Sequence, residues 1–225
     1  MASAAWQALH LASTLIVRRQ IALRVSGLDC LPETGPVIVA ARHYHHLYDG
    51  CILLATIDRP AHILVGVDWL QHPLGRRIMW AACRAAKWPM IHRPDSPYPG
   101  AAADARRLLI LAARDTLRLL RAGHVVIIFP EAYPNIDPGL TPKTLPNDFL
   151  PFRSGFARFA HMAARTGLRV PIVPAGLTYE QRSPQWNVEL RFGDPLTVDP
   201  SAHTVDELVQ LVEDQVRALS LPDKS

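Results

Sequence analysis

Apolar and polar positions along the chain divide it into strands and helices that take turns. Residues 36–41 form a short β-branched run with the length and content of a strand buried on both faces, and 61–66 and 124–129 read the same way. A further strand is predicted over 170–174, bounded by Pro171 and Pro174, and 21–26 and 186–192 alternate in polarity as half-buried strands do. Helical patterns fall between them, over 74–87, 101–120 and 155–166, and from the histidine-rich stretch to about residue 57. Gly123 closes the 101–120 helix, and Thr204 followed three residues later by Glu207 is a capping box opening a last helix over 204–219. Residues 88–93 read as a short strand ending on Arg93. Three loops are predicted: Gly27 with Pro32, Gly35 and Pro36, the stretch 94–100 with three prolines and a glycine, and a proline-rich run to Pro151.

Strands that alternate with helices predict one α/β domain, a largely parallel sheet flanked by helices, with no repeat and no second domain. Its boundaries are set at 21–225. Residues 1–20 form an N-terminal amphipathic helix on which Trp6, Leu9, Leu15 and Ile16 share a broad apolar face and Arg18 and Arg19 stand at the end. Two readings of that helix stay open: it lies at a bilayer interface with its arginines near lipid headgroups, or it packs on the domain with its arginines in solvent.

Composition narrows the function classes. With 49% of 225 residues apolar the chain can bury a large core, so global disorder is excluded. A net charge of +4 suits nucleic acid, an anionic membrane surface or a phosphorylated substrate equally and does not choose among them. Cys30, Cys51 and Cys83 are odd in number with no Cys-x-x-Cys pair, so a reducing compartment is expected rather than a disulfide framework or structural zinc. The longest apolar stretch, 4–17, is too short to span a bilayer and lacks the basic leader and cleavage site of a signal peptide.

Candidate chemistry concentrates at 42–50, between the 36–41 strand and the helix after it, where α/β proteins usually keep their sites. His43, His45, His46 and Asp49 lie there. A histidine oriented by a carboxylate is a general base. No Gly-x-Ser-x-Gly elbow or activated cysteine accompanies it, so the nucleophile would be a substrate's own hydroxyl. Two alternatives remain: Asp49 simply caps the following helix, or His43, His45, His46 and Asp49 bind zinc as in a metal-dependent hydrolase, although His92, His124 and His161 are scattered and form no second ligand pair. Arg93 and Arg153 are candidates for a phosphate clamp, Arg153 because it precedes a helix start at Ser154 and Gly155. Glu131, ending a very apolar strand, needs a cation or loop N–H groups to hold.

Taken in order, four blocks resemble those of the glycerolipid acyltransferases, in particular 1-acylglycerol-3-phosphate acyltransferases, from about Val25 to Leu219. The family's His-x4-Asp block is matched by His43 and Asp49. Its short strand ending in arginine is matched at 90–93, its Phe-Pro-Glu-Gly-Thr-Arg block by Phe129, Pro130, Glu131 and Ala132, and its hydrophobic strand ending in proline at 170–174. Residues 152–155 look like the basic, glycine-containing helix start that follows the third block. Two departures stand out. Five residues separate His43 from Asp49 and three separate His45 from it, so family spacing would fall on Tyr44, and Ala132, Tyr133 and Pro134 replace Gly-Thr-Arg. His43 is favoured as the base because it directly follows the strand, with His45 as the alternative.

The resemblance implies transfer of an acyl group from acyl-CoA or acyl-carrier protein to a glycerolipid hydroxyl. His43 and Asp49 would be catalytic, with Arg93, Glu131, Arg153 and Pro130 in substrate binding. It implies no metal, bound cofactor or nucleic-acid partner, and a peripheral place at the cytoplasmic, inner face of the cell membrane.

Overall fold

The computed structural model describes residues 3–70, 72–93, 101–137, 141–145, 147–182 and 184–222, with backbone alone for 101–104. The loop expected over 94–100 lies outside the described residues. Helices are α1 (Ala4–Gln20), α2 (Tyr48–Thr56), α3 (Pro73–Ala86), α4 (Ala101–Arg121), α5 (Gly155–Ala164) and α6 (Val205–Leu219). Strands are β1 (Ile21–Ser26), β2 (Val37–Ala41), β3 (Ala61–Ile63), β4 (Val65–Gly66), β5 (Met90–Ile91), β6 (Val125–Ile128), β7 (Ile172–Arg182) and β8 (Gln185–Phe192).

Six of the described strands form one sheet in the order β1-β8-β7-β2-β6-β3, parallel throughout except for the β7–β8 hairpin. The expected fold class is therefore observed. Every residue of β2 and β6 is buried because helices cover both faces, which is why these strands read as unbroken apolar runs. Their side chains still alternate. Val37, Val39, Ala41, Val125 and Ile127 pack with Ile52 and Leu53 of α2 and Val17 of α1. Ile38, Ala40, Val126 and Ile128 pack with Leu120 of α4, Phe156 and Ala160 of α5, and Val212 and Val216 of α6.

Two expected strands come out differently. The run 61–66 splits, because Leu64 donates its N–H to Ile127 whereas Val65 donates to Pro89. The chain thus leaves the main sheet and pairs as β4 with β5 in a separate parallel ribbon. The strand predicted to end at Pro174 begins at Ile172 and runs on to Arg182. Pro174 accepts from the Gly193 N–H, one position beyond Phe192 where β8 ends, and having no N–H it returns no bond, so the proline sits at the end of the β7–β8 ladder. Beyond it Gly176 lets α6 approach: a Cβ there would lie 2.4 Å from the Leu219 backbone.

On α1, Ser3 caps the first turn by accepting from the Trp6 N–H, and the helix packs on α2 through buried Ser13 and Val17 and a His10 Nδ1 contact to the Leu54 carbonyl. Trp6, Leu9 and Ile16 are half-buried, but Leu15 is exposed together with Leu11, so Leu15 does not share their face. Among the described residues no helix is long and apolar enough to cross a membrane.

Buried histidines make the fold acid-sensitive. His62 on β3 is 4% exposed, its Nδ1 meets the Ala86 carbonyl and its Nε2 lies 2.7 Å from His124, and burial pushes its pKa down to about 4. Burial does the same to His45. Both folded-state values lie below the unfolded 6.5, so the neutral form is the one the fold holds. Stability is full above pH 6.5 and is lost as pH falls from there towards 4, by about 2 kcal/mol per histidine at pH 5. Thermal melts at pH 7.5 and 5.0 should show this drop, and a flat profile would contradict it.

Candidate active site

Arg42 and His43 leave the C-terminal end of β2 beside Phe129 and Glu131 leaving β6, the position expected for chemistry in a parallel sheet. The chain then turns through 44–47 into α2, whose first turn contains Asp49. Asp49 is fully buried and its carboxylate is saturated. Oδ2 accepts from the Tyr44 N–H (2.6 Å) and the His45 N–H (2.9 Å) and lies 2.9 Å from His43 Nδ1, while Oδ1 accepts from the Tyr179 hydroxyl at 2.5 Å. Four donors and the helix N-terminus offset the desolvation of the charge. Burial, then the neighbouring carboxylate, holds the Tyr179 hydroxyl well above its ordinary pKa, so it stays a donor.

This geometry separates the two candidate bases. His43 meets Asp49 through Nδ1 and stacks on Phe129 at 4.4 Å, and its Nε2 makes no hydrogen bond among the described residues. His45 is turned away: its Nδ1 lies 3.2 Å from the Leu47 nitrogen and 3.3 Å from the Tyr48 nitrogen, so it accepts from N–H groups at the start of α2. The extra residue between His43 and Asp49 is absorbed in this turn, where His45 bridges to Ile136. His46 contacts the Ile136 carbonyl. With those commitments the histidines do not converge, and no group of three His, Cys, Asp or Glu among the described residues is arranged to hold a metal.

Glu131 has the partners its burial required. Oε1 accepts from the His43 N–H at 2.9 Å, and Oε2 accepts from the Leu150 N–H and lies 2.6 Å from Lys143 Nζ. Lys143 in turn donates to the His43 carbonyl (2.8 Å) and to Asn135. A fully buried ion pair therefore holds both backbone groups of His43. Burial lowers the Lys143 pKa against the pull of Glu131.

His43 opens onto a cavity of about 390 Å³, walled by Leu9, Ala12 and Ile16 of α1, Leu54 of α2, Met79 of α3 and Trp88. Arg93 also lines it, but its Nε pairs with Asp68 at 2.8 Å and its guanidinium lies 4.1 Å from the Tyr133 ring centroid. Arg153 is not part of the lining; its guanidinium stands 5.7 Å from the same ring. Pro130 is buried and accepts from the Arg153 N–H, so it supports the loop rather than facing the cavity. Asp68, Lys143 and Tyr179 carry no local sequence signal for their place at the site. Lys143 lies in a proline-rich loop without periodicity, and Tyr179 follows the proline taken as the strand's end.

Ala132, at the glycine position of the Phe-Pro-Glu-Gly pattern, adopts φ +64°. A left-handed alanine is strained by roughly 1 kcal/mol. Ala132→Gly should therefore raise the denaturation midpoint or leave it level, as relief of strain competes with glycine's larger unfolded-state entropy. A loss of more than about 1 kcal/mol in urea melts would contradict the strain.

Comparison with known proteins agrees with this architecture. Residues 22–178 match the family model described as Acyltransferase. The structure superposes on the crystal structure of the 1-acyl-sn-glycerophosphate (LPA) acyltransferase PlsC from Thermotoga maritima with a TM-score of 0.63 at 17% identity, covering 95% of this chain and 77% of that one. No curated protein matches the sequence.

Proposed function

The chain belongs to the acyltransferase family, and from that membership we propose that it moves a fatty acyl group from acyl-CoA or acyl-carrier protein to a hydroxyl of a lysophospholipid or related glycerolipid. The observation that carries this reading is the His43–Asp49 pair at the mouth of an apolar cavity. Asp49 fixes the tautomer with the proton on Nδ1, and Nε2 takes the proton of the acceptor hydroxyl as its oxygen attacks the thioester carbonyl. Collapse of the tetrahedral intermediate breaks the C–S bond. The proton on Nε2 goes to the leaving thiolate, giving ester and free thiol and returning His43 to its neutral state. Glu131 and Lys143 hold the His43 backbone so that the ring keeps this aim.

The cavity receives the acyl chain, because its walls are aliphatic and aromatic and extend from His43 to α1. Exposed Leu11 and Leu15, with Arg18 and Arg19 at the end of the same helix, support a peripheral seat on an anionic bilayer at the cytoplasmic face, from which lipid substrates enter. The test is conversion of a long-chain acyl thioester and a lysolipid to acylated lipid by purified protein. Product with wild type and its loss with Asp49→Asn are expected. No product from acyl-CoA or acyl-carrier protein would overturn the reading.

A further inference from the structure

The charges around the His43 cavity bear on which acceptor it takes. Among the described lining residues Arg93 is the only lysine or arginine. It is committed elsewhere: Asp68 accepts from its Nε (2.8 Å) and from its backbone N–H (3.3 Å), its Nη1 reaches the Ala132 carbonyl at 3.4 Å, and Tyr133 covers its face. The Asp68 side chain is fully buried and that of Arg93 is 7% exposed, so the pair is neutral within itself. Two other cations stand close to His43: Lys143, equally committed to Glu131, and Arg42, which lines a separate cavity with Tyr44 and donates through Nη1 to the Leu177 and Ser220 carbonyls. Pro134 lines the cavity where the Phe-Pro-Glu-Gly-Thr-Arg pattern has its arginine, and an acid, Asp137, lines it nearby.

A phosphate monoester brings a charge of about −1.5 to −2 at neutral pH and three acceptor oxygens. Seating it here would mean burying that charge beside a carboxylate, or drawing Arg93 away from Asp68 and leaving Asp68 buried without its partner. Resting on the acyl-transfer reading above, we infer that the acceptor is a hydroxyl-bearing lipid whose headgroup carries no phosphate monoester. Its hydroxyl is presented to His43, and recognition of the headgroup falls to hydrogen bonds rather than to a cationic clamp. Arg93 is a positioning residue that fixes the wall through Asp68 and Tyr133.

The experiment compares kcat/KM of the full chain for monoacylglycerol, lysophosphatidylcholine and lysophosphatidic acid in uncharged detergent micelles, with one long-chain acyl-CoA as donor. The first two should exceed lysophosphatidic acid by about tenfold or more, the scale of one missing charge-assisted contact. Asp68→Asn, which frees Arg93, and Pro134→Arg, which restores a cation in the turn, should each move that ratio towards lysophosphatidic acid. The two variants change different elements, so misfolding of one, seen by circular dichroism, leaves the other to decide. Wild type that uses lysophosphatidic acid as well or better overturns the inference, as does an unmoved ratio in a folded variant. Product with none of the three acceptors is a different outcome, which overturns the acyl-transfer reading and this inference with it.

Discussion

His43→Ala lowers kcat/KM for acyl transfer by about two to four orders of magnitude, the range a positioned general base contributes. Asp49→Asn causes a loss of similar size, because an amide at Oδ2 no longer fixes the proton on His43 Nδ1 and no longer stabilises the imidazolium formed during attack. His45→Ala behaves differently. Its ring accepts from N–H groups at the start of α2 and does not meet Asp49, so it should cost about 1 kcal/mol of stability, as loss of a helix cap does, while turnover persists. Steady-state kinetics on the three purified variants, each checked for folding, decide between the histidines. Abolished turnover in His45→Ala with retained turnover in His43→Ala would reverse the assignment.

Lys143→Met is the change expected to damage the fold most. It leaves the Glu131 carboxylate fully buried without its cation, at a cost of about 3–5 kcal/mol. For a chain of this size each kcal/mol moves the melting temperature by about 2–4 °C, so a fall on the order of 10 °C is expected. Because Glu131 and Lys143 grip the N–H and carbonyl of His43, activity should fall at temperatures where the variant is still folded. Adding Glu131→Gln to Lys143→Met removes the stranded charge and should recover part of the lost stability, which a double-mutant cycle reads directly. Equal stability of Lys143→Met and wild type would show that the pair is not closed in solution.

Much of this was legible in the sequence for physical reasons. Strands buried on both faces leave unbroken β-branched runs, so β2 and β6 stand out, and the Thr204–Glu207 capping box fixes the start of α6 because it is a local motif. That Glu131 needed partners followed from its place at the end of an apolar strand. Its partners did not, since Lys143 arrives from a proline-rich loop and binds through tertiary contact alone. Arg93 could be located at the site but not its commitment to Asp68, 25 residues earlier in the chain. The partner switch that divides β3 from β4 was hidden for the same kind of reason: residues 61–66 have one composition, and only the positions of β6 and β5 decide where pairing changes. Leu15 was misplaced because an apolar residue on a helix does not reveal which side meets α2.

The central claim is that His43, aimed by Asp49, activates a lipid hydroxyl against a thioester. Its most direct test is the rate of thiol release from a long-chain acyl-CoA by wild-type protein with and without a glycerolipid acceptor, with acylated lipid counted in the same reaction. The account predicts release that depends on the acceptor, matches acylated lipid one for one, and disappears in His43→Ala. Release at the same rate without acceptor, yielding free fatty acid, would make the protein a thioesterase and contradict the account.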